Sequence, residues 1–483
     1  MLPILLIHGY SSEGASTSVE EIYGTLPSDL RKEFGADAVV DIDLSRWISL
    51  SDGVTIDDVS YAMDRAIKAK GQQLADGFNV VIHSTGALVT RNWIRLFSPK
   101  PCPIQNLVHL AGANFGSGLA HIGRGQLARW GRFILHGTGR GIRILDELEF
   151  GSWKTIDLHR HFLQPGNDMY HDYQVQEFCL IGSQTPESLR HIPIRYLKED
   201  SSDNTVRTSA GNLNFNYISV TPTDEARQIT VRKLRELVAQ RLKDETIDSS
   251  FYTYDLSQLA SQRQAVPFFI AFETAHFGDE IGIVTGSQNR KSILPRIKEA
   301  LSASYDKSEY NQIVESFESA RGETFESAKT LKSSFLEWNK QSQYEGHAQL
   351  IFRLRDQFGQ GIKDFDITFR STPLGIRKNK MEGMLEDRHK NKKFPGTMTF
   401  YLRTQRYDKR RKSWVDLLDR AAAVRLEITA HEDDSDDIDY IPVNLRLSSK
   451  ELQAVMQSFR TTIIDVTLMR LPSQKVFALK AAT

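Results

Sequence analysis

Six short, largely apolar runs in the first 290 residues set the strongest limit on the fold. They are 2–7 ("LPILLI"), 37–44 ("DAVVDIDL"), 78–83 ("FNVVIH"), 104–112 ("IQNLVHLAG"), 177–183 ("EFCLIGS") and 266–272 ("VPFFIAF"). A strand that is apolar at consecutive positions has no face to offer water and belongs in a sheet covered on both sides. Helical signals lie between the runs. Ser18-x-x-Glu21 reads as a capping box, residues 56–76 carry Ile56, Val59, Ala62, Ile67 and Leu74 at helical spacing, and 87–97 ("ALVTRNWIRLF") continue the pattern. This alternation predicts a mostly parallel sheet with helices on both faces.

Near residue 290 the pattern changes. Two charged helical stretches, about 292–304 and 307–341, give way to period-two segments at 349–358, 364–370, 396–404, 423–431, 441–447 and 462–471. Alternating strands at this spacing predict an antiparallel β-sandwich. The expected division is an α/β part at 1–290 with an insertion at about 113–175, a helical bridge at 291–345, and a β-sandwich module at 346–483. A chain of 483 residues agrees with two or three domains at roughly 150 residues each.

Basic and acidic residues balance at 61 each, which removes the electrostatic reason to expect a nucleic-acid partner. No apolar run reaches the roughly 18 residues of a membrane-spanning helix. The start "MLPILLIHGY" lacks a basic n-region and a small-residue cleavage site, so it reads as a first core strand and not an export signal. Cys102 and Cys179 are the only cysteines; Cys179 sits in an apolar run, as a buried thiol does. The simplest compartment for such a chain is the cytoplasm.

Ligands and catalytic groups in an open α/β sheet collect beyond the carboxyl ends of the strands. Each strand end here is followed by a residue with chemistry: His8-Gly9-Tyr10, then Ser84 in "VVIHSTGAL", then Asp200 and Asp203 in "KEDSSDNTVRTSAGNL", then His276 in "ETAHFGDEIG". A serine hydroxyl needs a base, a group to orient that base and donors for an oxyanion. The chain order Ser, Asp, His suits that need.

These segments resemble an α/β hydrolase of the serine lipase and esterase type, in the branch of GPI-inositol-deacylase-like lipases. The matching pieces are "LLIHGY", "HSTGALVTRNW", "LAGANFGSGLAHIG", "SSDNTVRTSAGNL" and "AHFGDEIGI", and they span roughly residues 1–290. The resemblance implies Ser84 as nucleophile, His276 as general base, Asp203 as its orienting acid, and the backbone N–H groups of Tyr10 and Thr85 as oxyanion donors. It implies that 1–290 is the catalytic domain, with the insertion at about 113–175 as a lid-like segment over the site. It also implies a lipid or other acyl ester as substrate, no cofactor and no metal. The departure is Ile82, where the family's G-x-S-x-G turn has its first glycine; Gly86 is kept and Ala87 is small. The reading that follows is an ester hydrolase of lipase or phospholipase type. Its rivals are an inactive hydrolase-fold adaptor and an amidase or thioesterase.

Other features have blander readings. His83 is expected to pack or position. "HEDDSDDIDY" (431–440) lacks the spacing and turn glycine of a calcium loop and reads as a solvated hairpin. "RHKNKK" (388–393) and "DKRRKSW" (408–414) are basic hairpin tips. Residues 119–145 mix five arginines with Leu127, Trp130, Phe133, Ile134 and Leu135 and carry no acid, a composition that suits peripheral contact with a membrane.

Overall fold

The computed structural model describes residues 1–8, 18–49, 51–118, 141–185, 199–241, 251–331, 340–371, 382–418, 424–432, 435 and 437–473. In chain order the strands of the first part are β1 (Ile4–His8), β2 (Val39–Asp43), β3 (Phe78–His83), β4 (Ile104–Leu110), β5 (Gln176–Gly182), β6 (Asn216–Pro222), β7 (Tyr252–Gln258) and β8 (Phe268–Ala271). Then come β9 (His347–Asp356), β10 (Asp364–Ser371), β11 (Leu385–Lys390), β12 (Thr397–Arg403), β13 (Gln405–Asp408), β14 (Ser413–Asp416), β15 (Val424–His431), β16 (Ile438–Tyr440), β17 (Val443–Leu447), β18 (Thr461–Leu468) and β19 (Arg470–Pro472).

All six apolar runs form one sheet, in the order β2-β1-β3-β4-β5-β8, and every pairing in it is parallel. Its central strands are buried along their length, as consecutive apolar residues require. The helix Ile56–Lys70 opens on a reciprocal capping box between Thr55 and Asp58. It packs beside the helix Gly86–Phe97 that leaves β3, with Ser60 Oγ donating to the carbonyl of Val89 at 3.0 Å.

The chain divides into two compact units, and the division is not the expected one at 290. The first unit is Met1–Asn214, Gln264–Gly346 and Tyr407–Trp414; the second is Phe215–Arg263, His347–Arg406 and Val415–Thr483. The expected bridge at 291–345 does not stand apart. Its helices Arg290–Ser302 and Lys307–Lys329 lie against β4 and β8. Tyr310 packs edge-on to Phe178 (5.5 Å) and Phe317 to Phe269 (6.4 Å), because these faces are apolar and the sheet must be covered on both sides.

The second unit holds two sheets. One has the order β11-β12-β9-β18-β6-β7; the other joins β10, β15, β16 and β19, with β17 beside β15. Apolar residues from both fill a common core, among them Ile218, Phe352, Ile367, Ile428, Val443 and Val466. The expected sandwich is present, with one correction. Its first sheet is mixed, since β18 runs parallel to both β9 and β6. The strand β6 comes from within the segment expected to be purely catalytic. The basic segments at 388–393 and 408–414 fall on the β11–β12 and β13–β14 hairpins, and 431–440 spans the β15–β16 connection.

Cutting the chain near residue 290 would strip both helices from the parallel sheet and leave Phe178 and Phe269 bare. Such a truncated chain is expected to be insoluble, and the second unit would also lack β9 and β18. Recovery of a soluble, cooperatively melting 1–290 fragment would overturn this account.

Candidate active site

Phe78–His83 is apolar and extended, and the helix that follows begins at Gly86. Ser84 makes the turn between them with φ 54°, a left-handed conformation that costs a non-glycine residue roughly 1–2 kcal/mol. The turn is held from three sides. Ser84 N–H donates to the carbonyl of Leu110 (3.1 Å), and its own carbonyl accepts from the N–H groups of Ala87 and Ala113 (both 3.2 Å).

The structure brings together the three expected side chains. Ser84 Oγ lies 3.0 Å from His276 Nε2, and His276 Nδ1 lies 2.9 Å from Asp203 Oδ2. His276 and Asp203 are fully buried, while Ser84 keeps 8% exposure. Asp203 Oδ1 accepts from the N–H groups of Thr205 (3.0 Å) and Val206 (2.7 Å), which fixes the carboxylate's rotation and leaves Oδ2 for the imidazole. Asn204 turns the loop at φ 76°, a region asparagine tolerates, and its side-chain oxygen accepts from His276 N–H at 3.3 Å. His276 N–H also donates to the Asp203 carbonyl at 2.9 Å. Asp200, the competing acid, is turned elsewhere and accepts from Ser342 Oγ at 2.7 Å.

Gly182 ends β5 where the histidine loop crosses it. A Cβ there would meet the Thr274 carbonyl oxygen at 2.0 Å, so only glycine lets the loop pass. His83 packs its ring on His276, with centroids 4.6 Å apart and planes tilted by 40°, which is the positioning contact expected of it. Thr85 lies at the start of the helix Gly86–Phe97, and among the described residues its N–H has no acceptor. Tyr10, and residues 119–140 of the arginine-rich segment, lie outside the described residues.

Ile82 is fully buried and pairs with His109 of β4. The tight passage in this turn is on the other side of the serine, where a Cβ on Gly112 would sit 3.0 Å from the Cβ of Ala87. The glycine that relieves crowding here is thus Gly112, and the small partner is Ala87. Replacing Ile82 by glycine should cost about 3–5 kcal/mol through the cavity and the looser backbone. It should leave the 84–276–203 geometry intact, as thermal unfolding together with labelling of Ser84 would reveal. A variant that gains reactivity over the wild type would contradict this.

Beneath the turn's helix lies a cluster that sequence reading did not find. Arg91 and His109 both contact the Glu177 carboxylate, and Phe162 stacks on the Arg91 guanidinium. His159 stacks on Phe115 and contacts the Asn114 carbonyl. Burial alone would raise the Glu177 carboxyl, but Arg91 and His109 outweigh it and hold it at about 2. Burial, reinforced by the Arg91 charge, pushes His159 down to about 3. Both groups bind fewer protons folded than unfolded, so both stabilise at high pH and lose that contribution on acidification. For His159 the loss runs from pH 6.5 down toward 3, and for Glu177 from 4.5 down toward 2. The melting temperature should therefore fall on acidification below pH 6.5, and the fall should be shallower in His159→Gln. Equal slopes in the two proteins would remove His159 as the cause.

No family model matches the chain, and no curated protein matches it in sequence. Among solved structures, phospholipase PlaB from Legionella pneumophila superposes with a TM-score of 0.76 at 22% identity, over 100% of this chain and 96% of that one. The same protein in complex with thio-NAD gives 0.77 at 21% identity over the same shares. This chain has the α/β-hydrolase fold with a C-terminal β-sandwich. At such identity the likeness speaks for the fold of the whole chain, second unit included.

Proposed function

We propose that the chain is a serine hydrolase acting on carboxylic esters of lipids, in the manner of a lipase or phospholipase. The observation that carries this is the relay from Ser84 Oγ through His276 to Asp203, at 3.0 and 2.9 Å, at the carboxyl edge of the parallel sheet. Ser84 attacks the ester carbonyl while His276 Nε2 takes its proton. The Asp203 carboxylate holds Nδ1–H, fixing the tautomer and stabilising the imidazolium. Negative charge on the carbonyl oxygen is met by the N–H of Thr85 at the helix start, with the N–H of Tyr10 as second donor. His276 then protonates the leaving alcohol, and water attacks the acyl-enzyme by the same relay.

The lipid assignment is supported by the sequence resemblance to lipases of the GPI-inositol-deacylase-like branch. It is also supported by the whole-chain fold likeness to a protein named as a phospholipase. Among the described residues no helix is long and apolar enough to cross a membrane.

A covalent serine probe and an ester panel of rising chain length, phospholipids included, test the proposal. Ser84→Ala should abolish labelling. Ser84→Ala and His276→Ala should each lower turnover on the order of 10⁴-fold or more. Asp203→Asn should be similarly severe and Asp200→Asn mild. No labelling of the wild type would favour the inactive adaptor, and a preference for amides or thioesters over oxygen esters would move the reaction class.

A further inference from the structure

The loop beyond β2 carries an exposed feature that the chemistry at Ser84 does not use. Trp47 follows the short turn after Asp43, and β2 is the outer strand of the parallel sheet. Asp43 is level with His8 in the β1–β2 register, so Trp47 leaves the same carboxyl edge as Ser84. Trp47 is 40% exposed, Tyr61 53% and Leu96 43%, an unusual concentration for large apolar side chains that a fold could have buried. Trp47 and Tyr61 are contiguous through Arg65. The Arg65 guanidinium lies 5.9 Å from the Trp47 ring and 6.0 Å from the Tyr61 ring, and Tyr61 meets Phe97, the neighbour of Leu96, at 5.9 Å.

Beside this row runs an open groove of about 350 Å³ along β2, lined by apolar Ile42 and Trp47 and by two acids, Asp41 and Asp43, against two bases, Arg46 and Lys70. Three acids around it have basic partners. Asp43 pairs with Arg46, Asp64 with Lys68, and Asp57 with Lys154, while Asp41 is not free of partners. Asp58 is held by Thr55 and not by a cation. What stands out is therefore not a net positive charge but two cations without an ion pair among the described residues, Arg65 and Lys70, beside exposed tryptophan and tyrosine.

We propose that the Trp47–Arg65–Tyr61 row and its groove form a docking surface for an anionic phospholipid bilayer. Tryptophan and tyrosine place their amphipathic rings at the headgroup level, and the uncompensated cations meet the phosphates. Arg65 belongs to both sets, since cation–π contact with the two rings holds its guanidinium outward between them. Docking here would hold the β2 flank of the sheet that carries Ser84 against the lipid. The proposal deepens the lipid-ester reading and rests on it for its purpose, but its test needs no turnover.

The test uses the full chain with Ser84→Ala, so that vesicles stay intact, and co-sedimentation with vesicles of phosphatidylcholine alone or mixed with phosphatidylglycerol. Stronger binding to the anionic vesicles, weakening as salt is raised, is expected. Arg65→Gln should weaken it about fivefold, the worth of one basic residue near an anionic surface. Trp47→Ser with Tyr61→Ser should weaken it roughly tenfold or more. These side chains are exposed, so unchanged thermal unfolding certifies that the variants fold. Absence of anionic-vesicle binding, or equal binding by folded variants, overturns the proposal. Hydrolysis is read separately on the Ser84-containing chain with a soluble short ester, which the three substitutions should leave unchanged. Failure there strikes the enzymatic reading and not the surface.

Discussion

The left-handed backbone at Ser84 is the constraint on which the candidate site depends. A serine does not hold φ 54° unless its surroundings over-determine it. Here the surroundings are the end of β4 and the first turn of a helix, through the carbonyl of Leu110 and the N–H groups of Ala87 and Ala113. Those contacts exist only because β3 and β4 are parallel neighbours. The apolar content of both strands is therefore what keeps the serine turn in place at the edge, with Gly112 allowing the close approach to Ala87.

The helix that leaves the turn is anchored from below by charge as well as by apolar contact. Arg91 lies on that helix and Glu177 on β5, two strands away across the sheet. A buried ion pair of this kind gives little net stability, because desolvation offsets its attraction. Its effect is geometric. Breaking it would leave a bare charge in the core, so helix, sheet and the Phe162 ring over the guanidinium move as one piece. His109 and His159, neutral at physiological pH through burial, satisfy polar atoms around it without adding charge.

Much of this was legible in the sequence where the signal was local. The six sheet strands announced themselves because burial on both faces demands consecutive apolar residues. Ser84, His276 and the pair Asp200 and Asp203 followed from the ends of such strands and from their order, and the resemblance pointed to Asp203 within the pair. Which of Asp203 and Asp200 meets His276 is visible only with the turn Asp203–Val206, in which Asn204 takes the left-handed conformation and two N–H groups converge on one carboxylate oxygen. The strands β6 and β7 were not legible. "YTYDLSQ" alternates between half-buried and exposed residues, and β6 finds its parallel partner β18 far along the chain, where no periodicity within β6 could point. The Arg91–Glu177 pair was equally hidden, because two charges on separate apolar segments carry no sign of meeting.

The same long-range pairing shapes how the site can close. Asp203 and His276 lie on either side of the excursion Phe215–Arg263, which belongs to the other unit. Closing a flexible loop of that length costs on the order of 3–4 kcal/mol, and the cost grows only slowly with length. The base of the excursion is pinned at both of its strands. Asn214 Nδ2 donates to the Val266 carbonyl at 2.7 Å, and Val266 N–H donates back to Asn214 Oδ1 at 2.9 Å. One step further out, Arg263 donates to the Phe215 carbonyl and stacks on its ring. With the two ends clamped so, the acid and histidine loops meet as if joined by a short connection. The sheet of the second unit can then use the intervening chain as two of its strands without disturbing the hydrogen bond between Asp203 and His276.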